Sequence, residues 1–202
     1  MLHFAAVPLR LRETLLDLQH RPALAGFALA GGTSLALRLG HRVSMDLDFF
    51  TRDEFDPQAL RKQLGMGPES ITGQADGTLQ LLLNDVKVEF LSHAYPRIAA
   101  DDQIQDVRMW SLEDVAAMKL NAIVNRGSQK DFYDIVALLD RFPLPEMLEF
   151  YRAKYKAVSL MMVIRSLAWH VDADAEPDPV SLRDEPWAAI REKINSAIRS
   201  LE

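Results

Sequence analysis

The stretch that decides the fold is GGTSLALRLGHRVSMDLDFF (Gly31–Phe50), which holds a paired glycine, two hydroxyls and two aspartates. FALAGG, which overlaps its start, predicts a short apolar strand that ends in the double glycine. TSLALRLG then predicts about two helical turns that end at Gly40. The alternation in SMDLDFFT predicts a second strand, with Met45, Leu47 and Phe49 on one face and the two aspartates on the other. The stretch is therefore expected to fold as strand, helix and strand.

The glycine turn has two interpretations. At a strand-to-helix junction the backbone N–H groups point outward and the helix dipole favours negative charge, so a phosphate is a suitable ligand. Gly31 and Gly32 would let the ligand approach the backbone, and Thr33 or Ser34 could donate a hydroxyl. The alternative is a tight turn in which Thr33 or Ser34 caps the helix. The pattern is neither a Walker A loop nor GxGxxG, so those two phosphate-binding classes are not indicated.

Three carboxylates form the second candidate feature. Asp46 and Asp48 lie side by side on one strand face, where they repel each other unless a cation binds, and oxygen ligands suit Mg²⁺. In VKVEFL the apolar residues share one face, which leaves Glu89 on the other and able to face the aspartates. Three carboxylates beside a phosphate site can hold two metal ions around a triphosphate. The alternative is a set of solvated acids on exposed strand faces.

The N-terminal half predicts an α+β fold with a mixed sheet. Phe4–Gln19 favours helix, and DPQALRKQLG predicts a helix that begins at Asp56 with Pro57 in its first position. TLQLLLNDVKVEFL is typical of a hairpin that turns at Asn84–Asp85.

From Ser111 onward the patterns favour helix. SLED and SQKD are capping-box patterns that begin two successive helices, and further helices are predicted around Met147–Lys156 and Trp187–Leu201. The segment Ser159–His170 is apolar and is expected to be buried. The predicted organisation is therefore a sheet-containing core over 1–105 and a helical domain over 106–202.

Composition excludes several classes of protein. Of 202 residues, 49% are hydrophobic and 26% are charged, which is typical of a globular protein. The net charge of −6 argues against binding nucleic acid by bulk electrostatics, although a local basic groove stays open. The absence of cysteine excludes disulfides and thiolate chemistry. No apolar run approaches the ~20 residues of a membrane helix, and a secretory signal is not indicated. A cytoplasmic protein without a membrane partner is expected.

The helix that follows SLED carries a second set of candidate residues. Lys119 lies among alanine, leucine and isoleucine, so its ammonium either reaches outward to solvent or points into a cleft. Arg126, seven residues further on, falls near the same helix face. Asp131 has a structural interpretation as the capping-box acid, and Asp134 could pair with Lys130 at i,i+4.

These two stretches, in this order, resemble a known family. Gly-Gly followed by Asp-x-Asp is similar to the signature of the polymerase-β-like nucleotidyltransferase superfamily. A closer resemblance is to the AbiEii/AbiGii toxin family of nucleotidyltransferases. It is carried by two segments, LGHRVSMDLDFF and Glu113–Leu139 (EDVAAMKLNAIVNRGSQKDFYDIVALL). The resemblance spans Phe27–Leu139, and it implies a polymerase-β-like nucleotidyltransferase core followed by a helical C-terminal domain.

The resemblance also implies roles for individual residues. It implies that the GGTS turn holds the phosphates of an NTP and that Asp46 and Asp48 bind Mg²⁺. Glu89 matches the third acidic position, where many relatives carry aspartate. Lys119 matches the family's helix lysine, which would contact the nucleotide's phosphates. Arg126 and Lys130 fall on the motif that follows, and they complete the set of candidate phosphate-binding residues.

The leading functional interpretation is a magnesium-dependent nucleotidyltransferase that uses two metal ions. It would move NMP from an NTP to a hydroxyl of RNA, such as a tRNA 3′ end, or of protein. The resemblance implies the toxin of a toxin–antitoxin or phage-defence pair, with a cognate antitoxin as partner. The alternative is a module of the same fold that binds a nucleotide or a partner without turnover. A dehalogenase-type hydrolase is disfavoured because Phe49 follows the Asp-x-Asp pattern.

Overall fold

The computed structural model describes residues 1–156 and 159–201, and the chain divides into two compact units. The first unit contains Met1–Arg38, Ser44–Tyr95 and Ala100–Trp110. The second contains Leu39–Val43, Pro96–Ala99 and the residues from Ser111 onward. Positions 157, 158 and 202 of the predicted C-terminal domain lie outside the described residues. Over the described ranges, a mixed sheet and eight α-helices confirm the predicted α+β class.

The first unit is built on a seven-stranded sheet. Its strands are β1 (Ala28–Leu29), β2 (Asp46–Thr51), β3 (Ile71–Ala75), β4 (Thr78–Leu83), β5 (Val86–Ser92), β6 (Asp102–Ile104) and β7 (Val107–Met109). Its helices are α1 (Leu9–Gln19), α2 (Gly31–Leu39, whose last residue belongs to the second unit) and α3 (Pro57–Gln63).

The order of the strands across the sheet is β3-β4-β5-β2-β1-β7-β6. Strand β2 lies between β1, to which it is antiparallel, and β5, to which it is parallel. In the β2–β5 register Asp48 pairs with Glu89, and Asp46 pairs with Lys87. The central position of β2 therefore brings the aspartate strand beside the strand of the third predicted acid.

One face of β2 and β5 builds the core of the first unit. Leu47, Phe49, Val88 and Phe90 are buried, and the rings of Phe49 and Phe90 stack at 5.5 Å between centroids. Burial alternates along β2, so the aspartates take the opposite face, as predicted. Met45 precedes β2 and is exposed, so the predicted alternation begins at Asp46.

Two local signals in the first unit are confirmed. Asn84 and Asp85 have φ angles of 51° and 64°, and this left-handed pair forms the tight turn between β4 and β5. The side chain of Asp56 accepts a hydrogen bond of 2.9 Å from the backbone N–H of Gln58, and Pro57 begins α3.

Three strands were not predicted from the sequence. Strand β3 carries a glycine and two polar residues among its five positions, and β6 and β7 have only three residues each. Such short segments show no clear period of two, so their pairing depends on neighbouring strands. A turn at Gln105 and Asp106, both with positive φ, joins β6 to β7.

The second unit is helical. Its helices are α4 (Leu112–Asn125), α5 (Gln129–Leu139), α6 (Leu144–Lys154), α7 (Leu160–Ala168) and α8 (Trp187–Arg199). Ser111 caps α4, since its Oγ accepts a 3.1 Å hydrogen bond from the N–H of Asp114. Within the described part of the chain, no helix combines the length and apolar character needed to cross a bilayer.

The prediction that Ser159–His170 is a buried segment is wrong. In α7 only Val163 and Leu167 are buried, whereas Met161 and Met162 are more than half exposed. The two buried residues lie four positions apart, on one helix face. One face of α7 is therefore buried, and the opposite face exposes apolar side chains.

Candidate active site

The candidate site of the first unit begins with the two aspartates of β2. Asp46 and Asp48 are half-buried on the polar face of the sheet. Glu89 stands directly beside Asp48 on the parallel neighbour β5, and adjacent strands lie about 4.8 Å apart. The three predicted carboxylates are therefore placed on one face of two adjacent strands.

Glu89 already has a partner. Gln80, on β4, donates its side-chain N–H to Glu89 Oε1 at 2.9 Å. Over residues 1–156 and 159–201 no group of three or more histidine and acidic side chains is assembled closely enough to hold a metal ion. The backbone therefore places the aspartate pair and Glu89 on one face, but their carboxylates are not assembled as a metal site.

Gly31 adjoins Asp48. Its φ of +65° lies in the left-handed region, and a Cβ built on this residue would come within 2.5 Å of Asp48 Oδ2. The backbone N–H of Ala30 donates to the carbonyl oxygen of Asp48 at 2.9 Å. The first glycine of the pair is therefore required by the close approach of the turn to a carboxylate of the candidate metal site.

The aspartate pair fits a hard divalent cation. Carboxylate oxygens are the donors that Mg²⁺ prefers, and the absence of a side chain at Gly31 lets the Asp48 carboxylate approach the turn, where a Cβ would collide with it. The start of α2 lies next to this carboxylate, and the first N–H groups of a helix have no partner within the helix. A cation and an anionic phosphate can therefore be bound side by side here.

The hydroxyls of the turn are buried. Thr33 Oγ1 lies 2.8 Å from Ser44 Oγ and also donates to the carbonyl oxygen of Asp46. Ser34 is fully buried. Thr33 consequently ties α2 to the start of β2. Of the four residues of the GGTS turn, only Gly31 is not buried.

Lys119 belongs to a buried ion cluster of the second unit. Its Nζ lies 2.9 Å from Asp131 Oδ1 and 2.6 Å from Asp134 Oδ2, and the residue is only 5% exposed. Arg126 Nε donates to Asp131 Oδ2 at 2.7 Å, with more than half of its side chain exposed. Of these two cations, Arg126 is therefore the one that reaches solvent.

Asp134 holds the other end of the ion cluster. It accepts hydrogen bonds from Arg42 Nε at 2.8 Å and Arg42 Nη2 at 2.9 Å, and His41 Nε2 lies 2.7 Å away. The expectation that Asp134 pairs with Lys130 is wrong, because Lys130 points to solvent. The partners of Asp134 are instead His41 and Arg42, which are 93 and 92 positions away in the sequence.

The capping-box interpretation of Asp131 is also wrong. Ser128 makes no side-chain cap, and its Oγ donates to Glu176 at 2.7 Å. Asp131 is buried, and its carboxylate is directed to Lys119 and Arg126. The acid at this position therefore serves the ion cluster and not the helix start.

The charges of the ion cluster hold one another in their ionised forms. Burial alone would raise the pKa of Asp134, but Lys119, Arg42 and His41 outweigh it and hold that pKa well below its usual value. Burial would likewise lower the pKa of Lys119, yet Asp134 and Asp131 raise it. Lys119 and Arg126 in turn lower the pKa of Asp131. Both aspartates and Lys119 are thus charged at neutral pH.

Arg126 also borders a groove on the second unit. The groove has a volume of about 330 Å³, and its lining includes Arg165 and Trp169. Trp169 is largely exposed, with its indole N–H 3.3 Å from Asp172 Oδ2. Arginine and exposed tryptophan together are the side chains that bind single-stranded nucleic acid in other proteins.

Two partners in these sites were missed from the sequence. Gln80 could have been found, because a two-residue turn at Asn84–Asp85 fixes the hairpin register and places Gln80 opposite Glu89. Arg42 could not have been assigned, since its partner Asp134 is 92 positions away and no local pattern encodes that pairing.

The chain is similar to proteins of known family and structure. It is 35% identical over 157 residues to an uncharacterized protein of Aquifex aeolicus, and the match covers 74% of this chain and 76% of that protein. Its structure is similar to that of JHP933 from Helicobacter pylori, with a TM-score of 0.56, 16% identity, and coverage of 95% of this chain and 91% of that chain. The likeness to JHP933 shows a shared fold.

A further structural match is MenT4, a nucleotidyltransferase toxin from Mycobacterium tuberculosis. Its TM-score is 0.48, with 17% identity and coverage of 93% of this chain and 84% of that chain. The family model described as nucleotidyl transferase AbiEii toxin, type IV toxin–antitoxin system, matches residues 13–200. Because this match spans most of the sequence, the chain belongs to the AbiEii family and is a nucleotidyltransferase toxin.

Proposed function

We propose that the chain transfers NMP from an NTP to an acceptor hydroxyl, with Mg²⁺ bound by Asp46 and Asp48. The observation that carries the proposal is the contact of Gly31 with Asp48, because it brings the start of α2 beside the aspartate pair. Bound Mg²⁺ would lower the pKa of the acceptor hydroxyl and neutralise the pyrophosphate leaving group. In this proposal Glu89 completes the ligand set.

The reaction needs positioning more than covalent chemistry. The acceptor oxygen bonds to the α-phosphorus, the bond to the bridging oxygen breaks, pyrophosphate leaves, and the hydroxyl loses its proton. The backbone N–H groups of Gly31 and Gly32 bind the phosphates at the N-terminus of α2. Thr33 fixes that helix to Asp46 through the carbonyl oxygen of the aspartate. In this proposal Thr33 positions the metal ligands, and Ser34, being buried, supports the turn.

The cations of the second unit stay predicted phosphate contacts. Lys119 is 5% exposed and is held by two carboxylates, so in this proposal it fixes the charge of the ion cluster and does not contact phosphate itself. Arg126 and Lys130 are exposed and are the proposed phosphate contacts of this unit.

The acceptor is proposed to be RNA, such as a tRNA 3′ end, and a protein hydroxyl is the competing acceptor. The groove beside Arg126, with Arg165 and Trp169, supports RNA because it offers both phosphate contacts and a stacking surface. The family's type IV toxin–antitoxin system supports a cognate antitoxin as the regulatory partner.

Transfer of label from NTP tests the reaction. Purified protein is incubated with each α-labelled NTP, Mg²⁺, bulk tRNA and cell protein, and the products are separated by size. We expect wild-type protein to label one acceptor class, and to do so only when a divalent cation is present. Asp48→Asn should transfer label at least about 100-fold more slowly. Asp76→Asn, at an exposed turn of the same unit, is the matched control and should behave as wild type.

A second candidate function is nucleotide binding without turnover. It is favoured because, among the described residues, no three histidine or acidic side chains are assembled closely enough to hold a metal ion. Calorimetry separates the two functions. NTP binding with no labelled product from any acceptor would support this alternative and contradict the proposed transfer.

A further inference from the structure

A row of aromatic side chains continues the polar face of the sheet beyond the carboxylates. The ring of His93 lies 5.8 Å from that of Phe50, 5.5 Å from that of Trp110 and 4.7 Å from that of Tyr95, centroid to centroid. We call these four residues the aromatic row. All of them belong to the first unit.

The aromatic row has a fixed place relative to the aspartates. Phe50 is two residues beyond Asp48 on β2, so it lies on the same face about 7 Å further along. His93 follows β5 four residues beyond Glu89, about 13 Å along the strand. Its backbone N–H donates to the carbonyl oxygen of Thr51 at 2.7 Å, which keeps the two strands side by side past their ends.

Exposure increases along the aromatic row. Trp110 is 1% exposed, Phe50 and His93 are half-buried, and Tyr95 is 46% exposed. Trp110 is a core residue, whereas Tyr95 at the other end of the row is not. The row therefore carries an apolar surface from the interior outward on the face that bears the acids.

We propose that the His93–Tyr95 end of the aromatic row stacks against the base of the bound nucleotide. This inference rests on the proposed function, since it takes the phosphates to lie at Gly31 and Asp48. The ribose separates a nucleotide's base from its α-phosphate, so the base must lie some way from the metal ligands. The row begins at Phe50, about 7 Å beyond Asp48 on the same face of β2, and continues to His93 and Tyr95 in the direction in which β2 and β5 both run.

Stacking determines what the site recognises. Every base has a π-face, so an aromatic surface accepts all four, with purines favoured by their larger area. The aromatic row therefore contributes affinity for the nucleoside part of the substrate, and the glycine turn contributes affinity for its phosphates. The two contributions are separable by a ligand that carries phosphates and no base.

The test compares ATP with inorganic tripolyphosphate by calorimetry in the presence of Mg²⁺. For wild type we expect ATP to bind more tightly than tripolyphosphate. Tyr95→Ala should lower the affinity for ATP by about tenfold, because one base–aromatic stack is lost, and should leave the affinity for tripolyphosphate unchanged. Tyr95→Phe keeps the ring and should keep the affinity for ATP. Leu82→Ala is the matched control, since Leu82 is 45% exposed on β4 of the same unit and outside the aromatic row.

Each outcome has a defined meaning. Equal loss of ATP and tripolyphosphate affinity in Tyr95→Ala, or no loss of either, overturns the base-stacking proposal and leaves the proposed transfer intact. Wild-type protein that binds neither ligand overturns the proposed function, and the stacking proposal with it. Unfolding curves matched to wild type establish that each variant keeps its fold.

Discussion

Gly31→Ala is the substitution that tests most directly how the turn and the metal ligands depend on each other. Two separate effects are expected. The φ of +65° costs an L-residue about 1–2 kcal/mol, which is a backbone effect. In addition, the new methyl group would lie 2.5 Å from Asp48 Oδ2, whereas ordinary contact begins at 3.4 Å, so the carboxylate must move by about 1 Å.

Gly65→Ala separates the two effects. Gly65 has nearly the same φ, +69°, but a Cβ there would meet nothing within 4 Å. Both variants should therefore lose about 1–2 kcal/mol of unfolding free energy, which lowers the melting temperature by roughly 2–8 °C for a chain of this size. Only Gly31→Ala should also displace Asp48, and a displacement of about 1 Å is expected to reduce transfer about 100-fold.

The assay combines denaturant unfolding with the rate of label transfer from NTP at saturating Mg²⁺. The expected result is similar stability for the two variants and a large difference in transfer rate. If Gly31→Ala and Gly65→Ala transfer label equally fast, Asp48 is not a metal ligand that depends on the turn. That result would refute the reasoning on which the candidate site rests.

Three further predictions concern the ion cluster and the third carboxylate. Asp134→Asn leaves Arg42 and Lys119 buried with less compensating charge, so it should lower the free energy of unfolding, measured with denaturant, by about 3–5 kcal/mol. Asp140→Asn, which removes a partly exposed ion pair, should lower it by about 1 kcal/mol or less. The pKa of Asp134 is lower in the folded chain than the 3.8 of an unperturbed aspartate, so its stabilisation is complete above about pH 5 and is lost as the pH falls below about 4. Unfolding midpoints measured from pH 7 to pH 3 should show this loss, and a profile that Asp134→Asn leaves unchanged would contradict it. Glu89→Gln should lower the transfer rate at limiting Mg²⁺ and recover when Mg²⁺ is raised; equal rates at all Mg²⁺ concentrations would remove Glu89 from the ligand set.

Local patterns predicted the parts of the fold that depend on neighbours in sequence. Alternation placed Asp46 and Asp48 on the face opposite Leu47 and Phe49, because a strand's period of two does not depend on the rest of the protein. The Asn84–Asp85 turn and the Ser111 cap are likewise short-range, and both are confirmed.

The rest depends on contacts that no local pattern encodes. Asp131 and Asp134 have the sequence appearance of a capping acid and an i,i+4 partner, but burial directs both to cations elsewhere in the second unit. The exposed outer face of α7 was misread because apolar composition does not distinguish a core helix from a helix with an apolar surface. The ligand roles of Lys119, Arg126 and Lys130 stay predictions.

The five residues Leu39–Val43 limit how the protein can be divided into fragments for expression. They belong to the second unit although the chain before and after them belongs to the first. A fragment that stops at Trp110 would retain His41 and Arg42 but lose the carboxylate of Asp134 that they bind. Truncation at one point therefore cannot yield either unit whole, and fragment expression would need both pieces to be made together and to reassemble.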